Sequence, residues 1–111
     1  RPLNIAALPD LMAVSIITIG ELRVGVLNAP DVASRDARLG TLLLAQKKEP
    51  FLIDDEVTTA WARLRLALKA AGQRMEVNDS WIAATAMAHN MPVVTQDAGF
   101  PDLKELAVIH V

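Results

Sequence analysis

The chain has 111 residues, 52% of them hydrophobic, with 11 basic against 13 acidic side chains and a net charge of −2. That length makes one domain with a sizeable core, and so apolar a composition excludes a disordered chain. Cysteine is absent, which excludes a disulfide scaffold, a cysteine-held zinc and a thiol nucleophile, and a pI of about 5.6 offers no global field to attract nucleic acid. The apolar runs fall well short of the roughly 20 residues that span a bilayer. No segment has the charged, apolar and small-residue regions of a signal peptide, so a cytoplasmic protein is expected.

Residues 1–10 mix proline, asparagine and apolar side chains and read as a loop or short helical piece. The run 12–17 is short, apolar and partly β-branched, which suits a buried parallel strand. Thr18 and Glu21 then match a capping box, with Thr18 as N-cap of a helix reaching about Asn28, before Pro30 stops it. Residues 31–47 form an amphipathic helix capped by Asp31. A short strand at 50–53 follows, then a helix over 57–71 capped by Asp54 or Asp55 and ended by Gly72. The next helix, over 79–90, has Asn78 as its expected N-cap and Asp79 in its first turn. Its small apolar residues predict deep packing. A strand at 91–95, a turn-rich loop at 96–101, a brief helix at 102–106 and a last strand at 108–111 complete the chain. Strands alternating with helices predict an α/β domain with a parallel or mostly parallel sheet. No repeat or interdomain linker interrupts it, so residues 1–111 read as one domain.

In open α/β sheets, ligands bind beyond the carboxyl ends of the strands. Glu21, Asp79 and Asp97 all stand at such points. Acids converging on one cleft repel, and a divalent cation neutralises them; an all-carboxylate set suits Mg²⁺ or Mn²⁺. A metal of that kind activates water and stabilises charge building on a phosphodiester. Each acid also has a plainer reading. Glu21 completes a capping box, Asp79 caps a helix mouth, and Asp97 is ordinary turn chemistry. Arg23 and Arg74 lie close in sequence to Glu21 and Asp79, where a salt bridge or solvated surface competes with contact to a phosphate. His89 and His110 have no acid or nucleophile at useful spacing and read as packing or surface residues. Neither Ser15 nor Ser80 sits in a G-x-S-x-G context. Glycine motifs for dinucleotides and nucleoside triphosphates are absent.

Three segments taken together carry a resemblance. Thr18-Ile19-Gly20-Glu21-Leu22-Arg23, Asn78-Asp79-Ser80-Trp81-Ile82-Ala83-Ala84 and Val93-Val94-Thr95-Gln96-Asp97 occur in the order and spacing of PIN-domain ribonucleases, and resemble most the VapC toxins of bacterial VapBC toxin–antitoxin systems. The resemblance extends to Trp61-Ala62-Arg63-Leu64-Arg65 and covers nearly the whole chain. It implies a three-layer fold with a central parallel sheet flanked by helices. It further implies an endoribonuclease that depends on Mg²⁺ or Mn²⁺, forms a homodimer and is held inactive by a cognate antitoxin. Glu21, Asp79 and Asp97 would be the second, third and fourth acids of the family's metal set. Thr18, Asn78 and Thr95 would support the metal site or its waters, and Arg23 or Arg74 would steer RNA.

Two departures stand beside this resemblance. The family pattern opens on a strand ending in aspartate, and no such segment precedes Met12; Asp10 follows a proline and has no strand before it. With Arg1 as first residue, the expectation is that this strand was removed or belongs to a separate chain. Gly99 stands where many relatives carry another acid. The competing class is a PIN module without catalysis that binds an antitoxin or dimer partner; a nuclease of DNA or precursor ribosomal RNA is a third reading.

Overall fold

The computed structural model describes residues 14–95, 103–104 and 106–110. The elements run α1 (Ile16–Leu27), α2 (Val32–Gln46), α3 (Asp55–Ala71), α4 (Val77–Ala88), β1 (Val93–Thr95) and β2 (Val108–His110).

The chain enters this region through a short extended piece rather than the full strand expected over 12–17. Ser15 makes an isolated parallel bridge to Phe51, with the Phe51 N–H donating to the Val14 carbonyl at 2.7 Å and the Ile16 N–H to the Phe51 carbonyl at 2.9 Å. Ser15 then caps α1, its hydroxyl accepting from the Ile17 N–H at 3.1 Å. Thr18 is therefore not the N-cap, and Glu21 closes no capping box. The reason is that Ser15 can end the bridge and start the helix at one position, leaving the β-branched Ile16 and Ile17 in the first turn.

The caps of α2 and α3 follow the sequence. Asp31 accepts from the Ser34 N–H at 2.7 Å and Asp54 from the Val57 N–H at 3.0 Å. The bonds to Ser34 hold the Asp31 carboxyl below its ordinary range. Gly72 ends α3 at φ 65°, a left-handed conformation that glycine adopts without steric cost. The Gln73 N–H reaches back to the Leu68 carbonyl at 2.9 Å, folding the chain onto the helix end.

Two helix pairs organise the core. In the first, α1 and α2 bury Val14, Ile19, Leu42 and Ala45, and the Arg38 guanidinium donates across to the Gly25 carbonyl at 2.8 Å. In the second, Val57, Ala60, Leu64 and Leu68 of α3 face Ala83, Ala84 and Ala86 of α4. Alanines along α4 let neighbouring elements approach closely, which explains why a helix of such small residues lies at the centre. Val93 of β1 and Leu103 and Leu106 join the same cluster as Leu64, Leu68, Ala83 and Ala86. The two strands pair in parallel, Val93 opposite Val108 and Thr95 opposite His110. Among the described residues the sheet is this pair alone, so the larger central sheet expected from the resemblance is not seen in them. Of the brief helix expected at 102–106, the described part is a turn in which the Leu106 N–H donates to the Leu103 carbonyl at 3.0 Å.

Candidate metal centre

The site is built where the middle of α1 meets the first turn of α4. That turn begins two residues earlier than its sequence suggests. Glu76 is the N-cap of α4 and its side chain makes no capping bond. Asn78 stands inside the first turn, where it cannot cap. Its side chain serves Glu21 instead, hydrogen-bonding the carboxyl and drawing its pKa down. Asp79 follows in the first turn, half-buried, where the positive helix end favours a carboxylate.

Ser80 locks this turn. It is 1% exposed, its hydroxyl donates to the Val77 carbonyl, and it accepts from the Trp61 indole N–H at 2.9 Å. Trp61 stacks on Trp81 with ring centroids 4.4 Å apart and planes 5° from parallel. A buried hydroxyl satisfied as both donor and acceptor rigidifies its surroundings. Asp79 is thus carried on a clamped backbone. One turn further, the Thr85 hydroxyl donates to the Trp81 carbonyl at 2.8 Å and lies 3.4 Å from the Ser15 hydroxyl, joining the start of α1 to α4.

Glu21 records the electrostatics. Its carboxyl is raised above the ordinary glutamate range. Loss of surrounding water is the largest cause, although the residue as a whole is exposed, and the negative charge of Asp79 comes next. The Asn78 hydrogen bond offsets part of the rise, and Glu76 adds a smaller repulsion. Two helices far apart in sequence therefore press Glu21 and Asp79 into one electrostatic unit, with Glu76 at its edge. Both groups offer hard oxygen donors, the kind of set that fits a divalent cation.

The remaining expected residues fall as follows. Thr18 is half-buried one turn before Glu21 on α1. Thr95 ends β1, and Asp97 lies outside the described residues. Among those that are described, no group of three histidines, aspartates or glutamates is placed to hold a metal. Arg23 is exposed on α1, but two residues beyond Glu21 it points roughly 200° round the helix and away from it. Arg74 lines a separate groove with Arg65 and Lys69. His89 packs as expected, stacked on Phe51 at 3.7 Å, with a buried Nε2 that has no partner among the described residues. Sequence reasoning missed Glu76, three residues before Asp79, and the Trp61–Ser80 clamp. The available signal for the clamp was a serine directly after the acid and the chain's only two tryptophans.

Comparison with known proteins assigns the chain to a family. The PIN-domain family matches residues 3–106. Ribonuclease VapC4 of Mycobacterium tuberculosis is 49% identical over 100 residues, covering 88% of this chain and 75% of that protein. Ribonuclease VapC5 of the same bacterium is 41% identical over 111 residues, 100% of this chain and 82% of that one. The solved structure of VapBC-5 from Mycobacterium tuberculosis, a member of the VapBC family of toxin–antitoxin systems, superposes with a TM-score of 0.79 at 38% identity, covering 100% of this chain and 90% of that chain. The chain belongs to the PIN-domain family, and within it to the VapC type. No helix among the described residues is long and apolar enough to cross a membrane.

Proposed function

We propose that the protein is a metal-dependent endoribonuclease toxin restrained by a cognate antitoxin, with residues 1–111 forming one PIN domain. The observation that carries this is the placement of Glu21 on α1 within reach of the Asp79 charge in the first turn of α4, which adds to the loss of surrounding water in raising the Glu21 carboxyl. Two neighbouring carboxylates raise the cost of ionising either one, and a bound divalent cation relieves that cost. The names of the similar ribonucleases VapC4 and VapC5 supply the substrate class.

Glu21, Asp79 and Asp97, two residues beyond Thr95 in sequence, would hold Mg²⁺ or Mn²⁺. When bound, such an ion supplies a Lewis acid for the phosphodiester and a water of lowered pKa. Asn78 orients the Glu21 carboxyl, and Ser80 with Trp61 keeps the Asp79 backbone still. Thr18 and Thr95 stand close in sequence to these acids and are assigned to the support of the site. The protein works as a homodimer in this reading.

The antitoxin is assigned to the apolar stripes of α1 and α2. Val24 and Leu27 on α1, and Val32, Leu39 and Leu43 on α2, fall at helical spacings that align each set, and all are exposed, Leu27 at 86%. VapBC-5 is named as a toxin–antitoxin system, and stripes of this kind suit an apolar helix of such a partner. Leu27→Asp with Leu43→Asp is expected to abolish co-purification of the antitoxin while RNA cleavage persists; retained co-purification would remove the stripes from the interface.

The functional reading is tested on labelled RNA and DNA of one sequence, with Mn²⁺ and with EDTA. RNA cleavage only with metal is expected; cleavage of DNA alone, or of RNA in EDTA, defeats the proposal. A thermal measurement probes the site separately. Because the folded Glu21 carboxyl titrates above its unfolded value, its ionisation works against folding. Below the ordinary glutamate range both states hold the proton, and Glu21→Gln changes nothing. As pH rises through the raised value the wild type loses stability relative to the variant. Without metal, Glu21→Gln is therefore expected to melt above wild type at pH 7, with the difference vanishing on acidification. Adding Mn²⁺ reverses the order, since metal at 100 times its Kd stabilises the wild type by about 2.7 kcal/mol. An equal response to Mn²⁺ in both proteins would take Glu21 out of the metal set.

A further inference from the structure

The three cations Arg65, Lys69 and Arg74 line one groove of about 460 Å³, together with Leu66, Leu68 and Met75. Among the described residues no acid lines it, in a chain whose net charge is −2. Arg65 and Lys69 stand at i and i+4 on α3, a spacing at which like charges repel and weaken a helix. Among the described residues neither they nor Arg74 is joined to a carboxylate by a salt bridge. The negative C-terminal end of α3 accounts for Lys69 in its last turn. It does not account for Arg65, more than a turn further in, or for Arg74 beyond the helix.

The groove is also shaped in advance. The Arg65 guanidinium lies 5.1 Å from the centroid of the Trp61 ring, and Trp61 is fixed by Ser80 and Trp81. Gly72 turns the chain back, so that Gln73, Arg74 and Met75 form the opposite wall. Leu68 and Met75 pack in the cluster that contains Leu103 and Leu106, and between those two leucines Lys104 is exposed on the turn. Arg74 and Met75 run directly into Glu76 and the first turn of α4, the turn that carries Asp79.

We propose that this groove is a phosphate-backbone track for single-stranded RNA, leading the strand toward the acidic centre; the assignment of RNA rests on the functional reading above. Three cations held on rigid walls neutralise successive phosphates without reading sequence. The apolar side chains that line the groove with them, Leu66, Leu68 and Met75, give an unpaired base a surface to lie on.

The test uses the full-length protein carrying Asp79→Asn, so that RNA is not cut, and a fluorescein-labelled single-stranded RNA followed by anisotropy in Mg²⁺. Affinity is measured from about 50 to 200 mM salt, with a slope of about 0.7 for each phosphate neutralised on a single strand. Adding Arg65→Gln, Lys69→Gln and Arg74→Gln is expected to weaken binding about tenfold or more at the lower salt and to flatten the salt slope by about 2. Arg63→Gln, on a different groove, leaves both unchanged. An unaltered affinity and slope in the triple variant, with its melting curve intact, overturns the track. Loss of the dimer at unchanged RNA affinity overturns it too and makes the groove a protein contact. Cleavage by Asp79→Asn alone would instead count against the metal centre, so the two failures are distinguishable.

Discussion

Asp79→Asn is expected to reduce metal-dependent RNA cleavage by at least about 10²- to 10³-fold, the loss typical when one preorganised electrostatic group is removed from an active site. The substitution keeps the shape of the side chain and removes its charge. Nothing in the clamp depends on that charge, because Ser80 bonds to Val77 and Trp61 rather than to the aspartate. The Trp61–Ser80 clamp should therefore survive the substitution. Glu21 gives a second readout. Asp79 is the second largest cause of its raised carboxyl, so in Asp79→Asn the carboxyl titrates closer to the ordinary glutamate range. A gel assay of cleaved RNA and an NMR titration of the Glu21 carboxyl check the two halves. Full cleavage by the variant would remove Asp79 from the catalytic set, and an unmoved Glu21 would deny the electrostatic pairing on which the site is built.

Leu64→Ala should cost about 2–5 kcal/mol of stability, the range for deleting a buried leucine and leaving a cavity. Leu64 is fully buried and packs in the cluster that joins α3 to Ala83 and Ala86 of α4 and to Val93 of β1. The surrounding alanines are too short to move into the space, which favours the upper part of that range. For a domain of this size each kcal/mol lowers the melting temperature by about 4 °C, so a fall of about 10–20 °C is expected by calorimetry. The same packing holds α3 against the first turn of α4, so the damage reaches the site through the Trp61–Ser80 bond. Activity at low temperature should drop less than stability, with an unchanged metal requirement. A melting curve within about 2 °C of wild type would show that the helix pair is held by other contacts.

What the sequence by itself determined is the local chemistry of the chain. Asp31, Asp54 and Gly72 punctuate helices where their side chains or backbone freedom dictate, because a cap is satisfied by neighbours three residues away. The order of motifs around Glu21, Asp79 and Asp97 likewise pointed to the family that comparison then showed. Two caps went to other residues. Ser15 replaces Thr18, its backbone bridging Phe51, and Glu76 takes the helix mouth while Asn78 stands inside the first turn, its side chain lowering the Glu21 carboxyl. Only the tertiary structure brought Glu21 against Asp79 and gathered Arg65, Lys69 and Arg74 into one groove. Charge and burial act through space, and the separation along the chain carries no record of which groups will share it.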